Sequence, residues 1–124
     1  MNYSHSKYDE DNIFAKILRE EIPCDKVYED EHVLAFRDIN PIAETHVLVI
    51  PRNRYISFDD FSEKAEGRGT GIFFQRVGMV ARKLGLADDG YRVIMNIGEN
   101  GGQEVPHFHV HIIGGKKLSP LTSK

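Results

Sequence analysis

The segment His107-Phe108-His109-Val110-His111-Ile112-Ile113 alternates histidine with apolar residues. In a β-strand successive side chains point to opposite faces. His107, His109 and His111 therefore project from one face, and Phe108, Val110 and Ile112 from the other. The apolar face has to be covered, so this strand belongs to a sheet packed on a core. The opposite face carries three of the chain's six histidines. A single core histidine is ordinary, but three in register concentrate proton-transfer and ligand chemistry on one surface.

Two chemistries compete for that surface. A metal site is one. Alternate strand residues lie about 6.6 Å apart, so His107 and His111 are separated by about 13 Å. Zinc holds imidazole nitrogens at about 2.0–2.1 Å, which three ligands from one straight strand reach only by bending strongly inward. Two of them with His46 from another strand would do so easily, but no acidic or thiolate ligand stands at an obvious spacing. The other chemistry is nucleophilic. It needs one unprotonated ring nitrogen aimed at an electrophile and an acceptor holding the other nitrogen. His109, flanked on both sides, is the best-supported attacking group. The preceding Gly98-Glu99-Asn100-Gly101-Gly102 turn leaves backbone N–H groups open to an anion, with Gln103 as an added amide donor.

Around this strand the pattern predicts an α+β domain. Ile13, Phe14, Ile17 and Leu18 have helical spacing over residues 12–21, with Asp11 or Asn12 as cap and Pro23 as the stop. Strands are expected over 27–29, 32–37, 45–50 and 91–97. The run His46 to Ile50 is apolar on both faces, as in a central strand. Ser57 and Asp60 suggest a capped helical turn in 57–66. Gly67, Gly69 and Gly71 read as a flexible joint before the clearest amphipathic helix, Ile72 to Leu84, capped by Gly85. Asn100-Gly101 favours a tight hairpin between the last two strands. The expected architecture is a five-stranded antiparallel sheet with helices on one face.

With 124 residues there is room for one domain. Residues 1–10 read as a flexible arm, 11–115 as the domain and 116–124 as a tail. His5 and His32 have no assigned role. A net charge of −3 with no basic face argues against nucleic-acid binding. The lone Cys24 fits a reducing compartment. The N-terminus lacks an apolar signal segment, and no run approaches the ~18 apolar residues of a membrane span. A soluble cytoplasmic protein is expected.

The His107–Ile113 segment resembles the signature of the histidine triad (HIT) superfamily, His-φ-His-φ-His-φ-φ with φ apolar. Similarity extends from about residue 11 to 115 through Asn12 to Ile17, Leu34 to Pro41, Thr45 to Pro51 and Asn96 to Gly115. Length and Gly101-Gly102-Gln103 make the histidine-triad nucleotide-binding (Hint) branch the nearest match.

The resemblance implies a purine nucleoside phosphoramidase that splits the P–N bond of AMP or GMP amides without a cofactor. His109 would be the nucleophile, forming a nucleotidyl-histidine. His107 would orient it through its backbone carbonyl, and His111 and His46 would contact phosphate oxygens or neighbouring histidines. Asn96, Gly102 and Gln103 would line the phosphate side. Phe14, Ile17, Phe36 and Ile39 would form the nucleoside pocket, with Asp38 on the ribose hydroxyls. The resemblance also implies a homodimer with a ten-stranded sheet. Related alternatives are hydrolysis of dinucleoside polyphosphates or adenylated amines, and nucleotide binding with incidental activity. Glu104 stands where several members carry Ser or Thr. The zinc-binding cysteines of some members, and the tryptophan that some place near the substrate, are missing here.

Overall fold

β3 (Thr45–Pro51) is the central strand, and its sequence explains why: His46 through Pro51 are all buried. Alternation divides it between two cores. Val47 and Val49 face a cluster with Phe61, Phe73, Val77 and Val80. Leu48 and Ile50 face a second cluster with Phe14, Ile17, Leu34 and Phe36. The computed structural model describes residues 7–121. His5 and the outer parts of the arm and tail, 1–6 and 122–124, lie outside the described residues.

The other strands are β1 (Lys26–Glu29), β2 (Val33–Arg37), β4 (Tyr91–Ile94) and β5 (Val110–Gly114). They form one five-stranded sheet in the order β1-β2-β3-β5-β4, and every pairing is antiparallel. The register sets Leu48 opposite His111 and Val47 opposite Ile112. The apolar face of β5 thus meets the first core and the histidine face looks toward the second.

Three helices complete the chain, and they do not share a face. α2 (Phe58–Lys64) and α3 (Gly67–Lys83) supply the first core, whereas α1 (Ile13–Leu18) packs on the opposite face through Phe14 and Ile17. The expectation of helices on one face is corrected, because a strand pair apolar on both sides needs cover on both. Asn12 caps α1, its side chain accepting from the Ala15 amide at 2.9 Å. α1 stops at Leu18 rather than Glu21, because Glu20 turns to φ 62°. In α2 the Ser57 hydroxyl caps the helix by accepting from the Asp60 amide at 3.4 Å, and the Asp60 carboxylate accepts from the Ile56 amide at 2.9 Å.

α3 differs from expectation at its start. Gly67, Gly69 and Gly71 are its first turns, not a joint before it. Each glycine costs a helix interior about 1 kcal/mol relative to alanine. Burying one large apolar side chain contributes about 1.5–3 kcal/mol, and Phe73, Val77 and Val80 are all buried, so packing outweighs propensity.

The β4–β5 connection also departs from a tight hairpin. β4 ends at Ile94 and β5 begins at Val110, leaving residues 95–109 as a long loop. The Asn100-Gly101 pair lies in a turn within this loop, where Gly98 and Gly102 take φ of 68° and 76°. Pro106 has no N–H for a ladder. The His107 amide instead donates to Val105 O at 2.8 Å, and the Phe108 amide to Tyr55 O at 2.8 Å.

Candidate active site

The segment preceding β5 is clamped from its apolar side. Phe108 is 1% exposed, and its ring stacks on Phe61 with centroids 4.7 Å apart. His107 faces the other way and is fully buried. Its Nε2 lies 2.9 Å from Pro51 O. A carbonyl oxygen only accepts, so Nε2 carries the hydrogen. Nδ1 then accepts from the Tyr8 hydroxyl at 2.6 Å. Burial pushes the imidazole down to about 4, which keeps it neutral near pH 7.

His109 is oriented by the same logic. Its Nδ1 lies 2.7 Å from the His107 carbonyl oxygen. The hydrogen therefore sits on Nδ1, and Nε2 keeps a free lone pair. Phe14 meets the His109 ring edge-on at 5.0 Å. Burial lowers the His109 imidazole below its ordinary value, against the opposing pull of Asp38 and Glu104.

His111 and His46 form a hydrogen-bonded pair across β5 and β3. His46 Nε2 lies 2.9 Å from His111 Nδ1. The Ile42 amide donates to His46 Nδ1 at 3.2 Å, so in the neutral ring Nε2 is the donor. Asp38 places a carboxylate oxygen 3.3 Å from the same Nε2. That contact is an ion pair only if His46 is protonated. The Ile42 donor argues for the neutral ring, and desolvation lowers the His46 imidazole. His111 is pushed down to about 4 by burial and by its two histidine neighbours.

Asp38 also accepts from the Asn40 amide at 2.8 Å, forming a turn that carries its carboxylate back over β3. Asp38, His46 and His111 thereby offer ligand atoms within 4.8 Å of one another. No sequence spacing pointed to this carboxylate as a neighbour of the histidines. A cation there would have to break the His46–His111 hydrogen bond, so the arrangement favours a proton relay.

These residues open onto a cleft of about 880 Å³. Phe14, Ile17, Phe36 and Leu48 form an apolar wall, with Ile39 and Ile42 on the rim and Asn96, Gly102 and Glu104 opposite. Phe14, Ile17 and Phe36 belong to the second core as well, so they serve packing and the cleft at once. Ile39 is 90% exposed, which leaves it available to a ligand. Cys24 also lines this cleft, where burial pushes its thiol up.

Two assigned residues stand apart from the cleft wall. His107 acts from behind it. Gln103 is buried, and its amide is committed: Nε2 donates to Ile56 O and Val105 O at 2.7 and 3.0 Å, and Oε1 accepts from the Gly98 amide. It braces the loop. The Gly98 and Gly102 amides have internal acceptors too, so they are not open to an anion as expected. Asn96 donates to Gly101 O at 2.8 Å from the cleft side. Sequence reasoning missed Tyr8, which gives no local signal because its partner is 99 positions away.

A model of the HIT domain matches residues 19–118. The chain belongs to the HIT family. A HIT-like protein of Azospirillum brasilense is 53% identical over 117 residues, covering 94% of this chain and 96% of the relative. A purine nucleoside phosphoramidase of Escherichia coli K12 is 46% identical over 112 residues, covering 90% and 93%. A solved histidine triad protein from Clostridium difficile superimposes with a TM-score of 0.81 at 42% identity, covering 94% of this chain and 100% of that one. The stretch of this HIT chain matched by the domain model contains Asp38, His46 and all three triad histidines, and leaves Tyr8, Phe14 and Ile17 ahead of it.

Proposed function

We propose that this HIT protein hydrolyses purine nucleoside phosphoramidates, with His109 as the nucleophile. The observation that carries the reading is the 2.7 Å contact of His109 Nδ1 with the His107 carbonyl, which leaves Nε2 unprotonated on the wall of the cleft. His109 Nε2 attacks the α-phosphorus. The P–N bond breaks, and the departing amine takes a proton from solvent, passed on by the His46–His111 pair. Water then attacks the phosphorus of the nucleotidyl-histidine, loses its proton to solvent through the same relay, and releases the nucleoside monophosphate with His109 restored. The apolar wall of Phe14, Ile17 and Phe36 suits a purine face, Ile39 covers it from the rim, and Asp38 suits the ribose hydroxyls. The phosphoramidase name of the E. coli relative supports the P–N bond as the target. Gly102 and Asn96 stand on the phosphate side, with Gln103 behind them.

A homodimer accompanies this reading. β4 is one of the two edge strands of the sheet, and Tyr91 and Val93 on it are 37% and 43% exposed. A strand edge with unpaired backbone groups invites pairing, and pairing two copies of β4 would give ten strands. No helix among the described residues is long and apolar enough to cross a membrane.

The test is hydrolysis of adenosine 5′-phosphoramidate by wild type and His109→Ala with a chelator present. Turnover that survives chelation and vanishes in the variant supports the reading. A well-folded wild type with no turnover, or loss of activity on chelation, overturns it.

A further inference from the structure

We propose that Tyr8 is a positioning residue for catalysis, setting the aim of His109 through the side chain of His107. This rests on the reading of His109 as the nucleophile. Three hydrogen bonds run in series. The Tyr8 hydroxyl donates to His107 Nδ1 at 2.6 Å. His107 Nε2 donates to Pro51 O at 2.9 Å. The His107 carbonyl accepts from His109 Nδ1 at 2.7 Å.

The order of donors is forced. Pro51 O only accepts, and a neutral imidazole has one N–H, so Nδ1 of His107 needs a donor. His107 is 0% exposed. With Tyr8 removed, a buried acceptor loses its partner, and the ring is free to rotate or change tautomer. Either change loosens the residue whose carbonyl holds the His109 ring.

The arm is fastened where it delivers Tyr8. The Asn12 backbone and side-chain amides donate to Asp9 O at 3.2 and 2.8 Å. Arg19 donates to Glu10 O at 2.8 Å, and Arg54 pairs with the Glu10 carboxylate at 3.1 Å. The Tyr8 ring stands edge-on to His107 with centroids 5.7 Å apart. Tyr8 is not among the residues lining the cleft, so it acts on the reaction through His107 rather than on substrate.

The experiment compares wild type with Tyr8→Phe in the full chain. Three readouts are taken: kcat and KM on adenosine 5′-phosphoramidate, the thermal midpoint, and the ¹⁵N shifts of the His107 ring. The expected result is a kcat lower by about ten- to a hundredfold, as small misalignments cost, with KM within about twofold and a His107 Nδ1 resonance that loses its hydrogen-bonded shift. Unchanged kcat overturns the proposal, whatever happens to the thermal midpoint, because a purely structural tyrosine gives that pattern. If Tyr8→Phe fails to fold, wild type grown with 3-fluorotyrosine keeps the contact and strengthens the donor. A moved Nδ1 resonance then supports the assignment, and an unmoved one overturns it. If wild type does not turn over the phosphoramidate, the proposed reaction fails, while the nitrogen shifts still decide the Tyr8–His107 link.

Discussion

His46 Nε2 lies 2.9 Å from His111 Nδ1, while the other nitrogen of His46 accepts the amide of Ile42. One backbone amide therefore dictates the tautomer of two rings. If His46 donates to Nδ1 of His111, the hydrogen of His111 is on Nε2. Replacing His46 by glutamine keeps a polar group but loses the ring that hands protons on in the proposed reaction. We expect His46→Gln to lower kcat on the order of a hundredfold, the low end for a lost general acid–base, with KM for a nucleotide much less affected. Steady-state kinetics check this, and an unchanged kcat would remove His46 from the relay.

His109→Ala should fold as wild type does and lose activity by on the order of a thousandfold or more. Its ring is held by the His107 carbonyl and by edge contacts with Phe14 and His111, so its removal leaves the Phe108 side of the segment intact. Circular dichroism and turnover on the same preparation separate folding from chemistry.

Acid should destabilise the protein ahead of ordinary carboxylate protonation. His107 and His111 sit at about 4 in the fold, against about 6.5 unfolded. Between these values the unfolded chain binds protons that the folded one refuses. The stabilisation is complete above about pH 6.5 and is lost as pH falls toward 4, on the order of 3 kcal/mol for His107 alone. Urea midpoints at about pH 7 and about pH 4.5 measure it. A midpoint that stays level across that window would contradict the buried neutral state of these rings.

Two helix ends carry removable backbone cost. Glu20 occupies a left-handed conformation at φ 62°, which disfavours any side chain. Glu20→Gly should raise stability by about 1 kcal/mol. Its ion pair with Lys26, at 3.9 Å and largely exposed, is worth little by comparison. Thermal or urea unfolding reads the gain.

Within α3, a Cβ added at Gly69 or Gly71 meets nothing within 4 Å. Gly69→Ala and Gly71→Ala should each add about 0.5–1 kcal/mol. A loss of stability would mean that these positions are covered by something, such as a second copy of the chain.

Much of this was legible in the sequence for a definite reason. Alternation at His107 to Ile113 carries its own geometry, and β3 declares its central place through an unbroken apolar run. The start of α3 was not legible, because three glycines outvote the helix locally while Phe73, Val77 and Val80 decide it through contacts with distant strands. The cover given by α1 to the second face was hidden for the same reason. At the site, the meeting of His109, His111 and His46 in one cleft could be expected from the sequence, but the approach of Asp38 depends on how the 38–40 turn closes. The commitment of Gln103 to backbone carbonyls depends on a loop whose path no spacing rule describes. Tyr8 became visible only when the two ends of the chain were brought together.

Phe108 carries a last consequence. Its ring is locked among Phe58, Phe61 and Phe73, and it sits between His107 and His109, which aim the proposed reaction. On the proposed mechanism the geometry of the site is therefore inherited from the closing of the aromatic core during folding. Intermediates that have formed the sheet but not seated Phe108 would be inert, and return of turnover during refolding would time the moment at which that ring goes home.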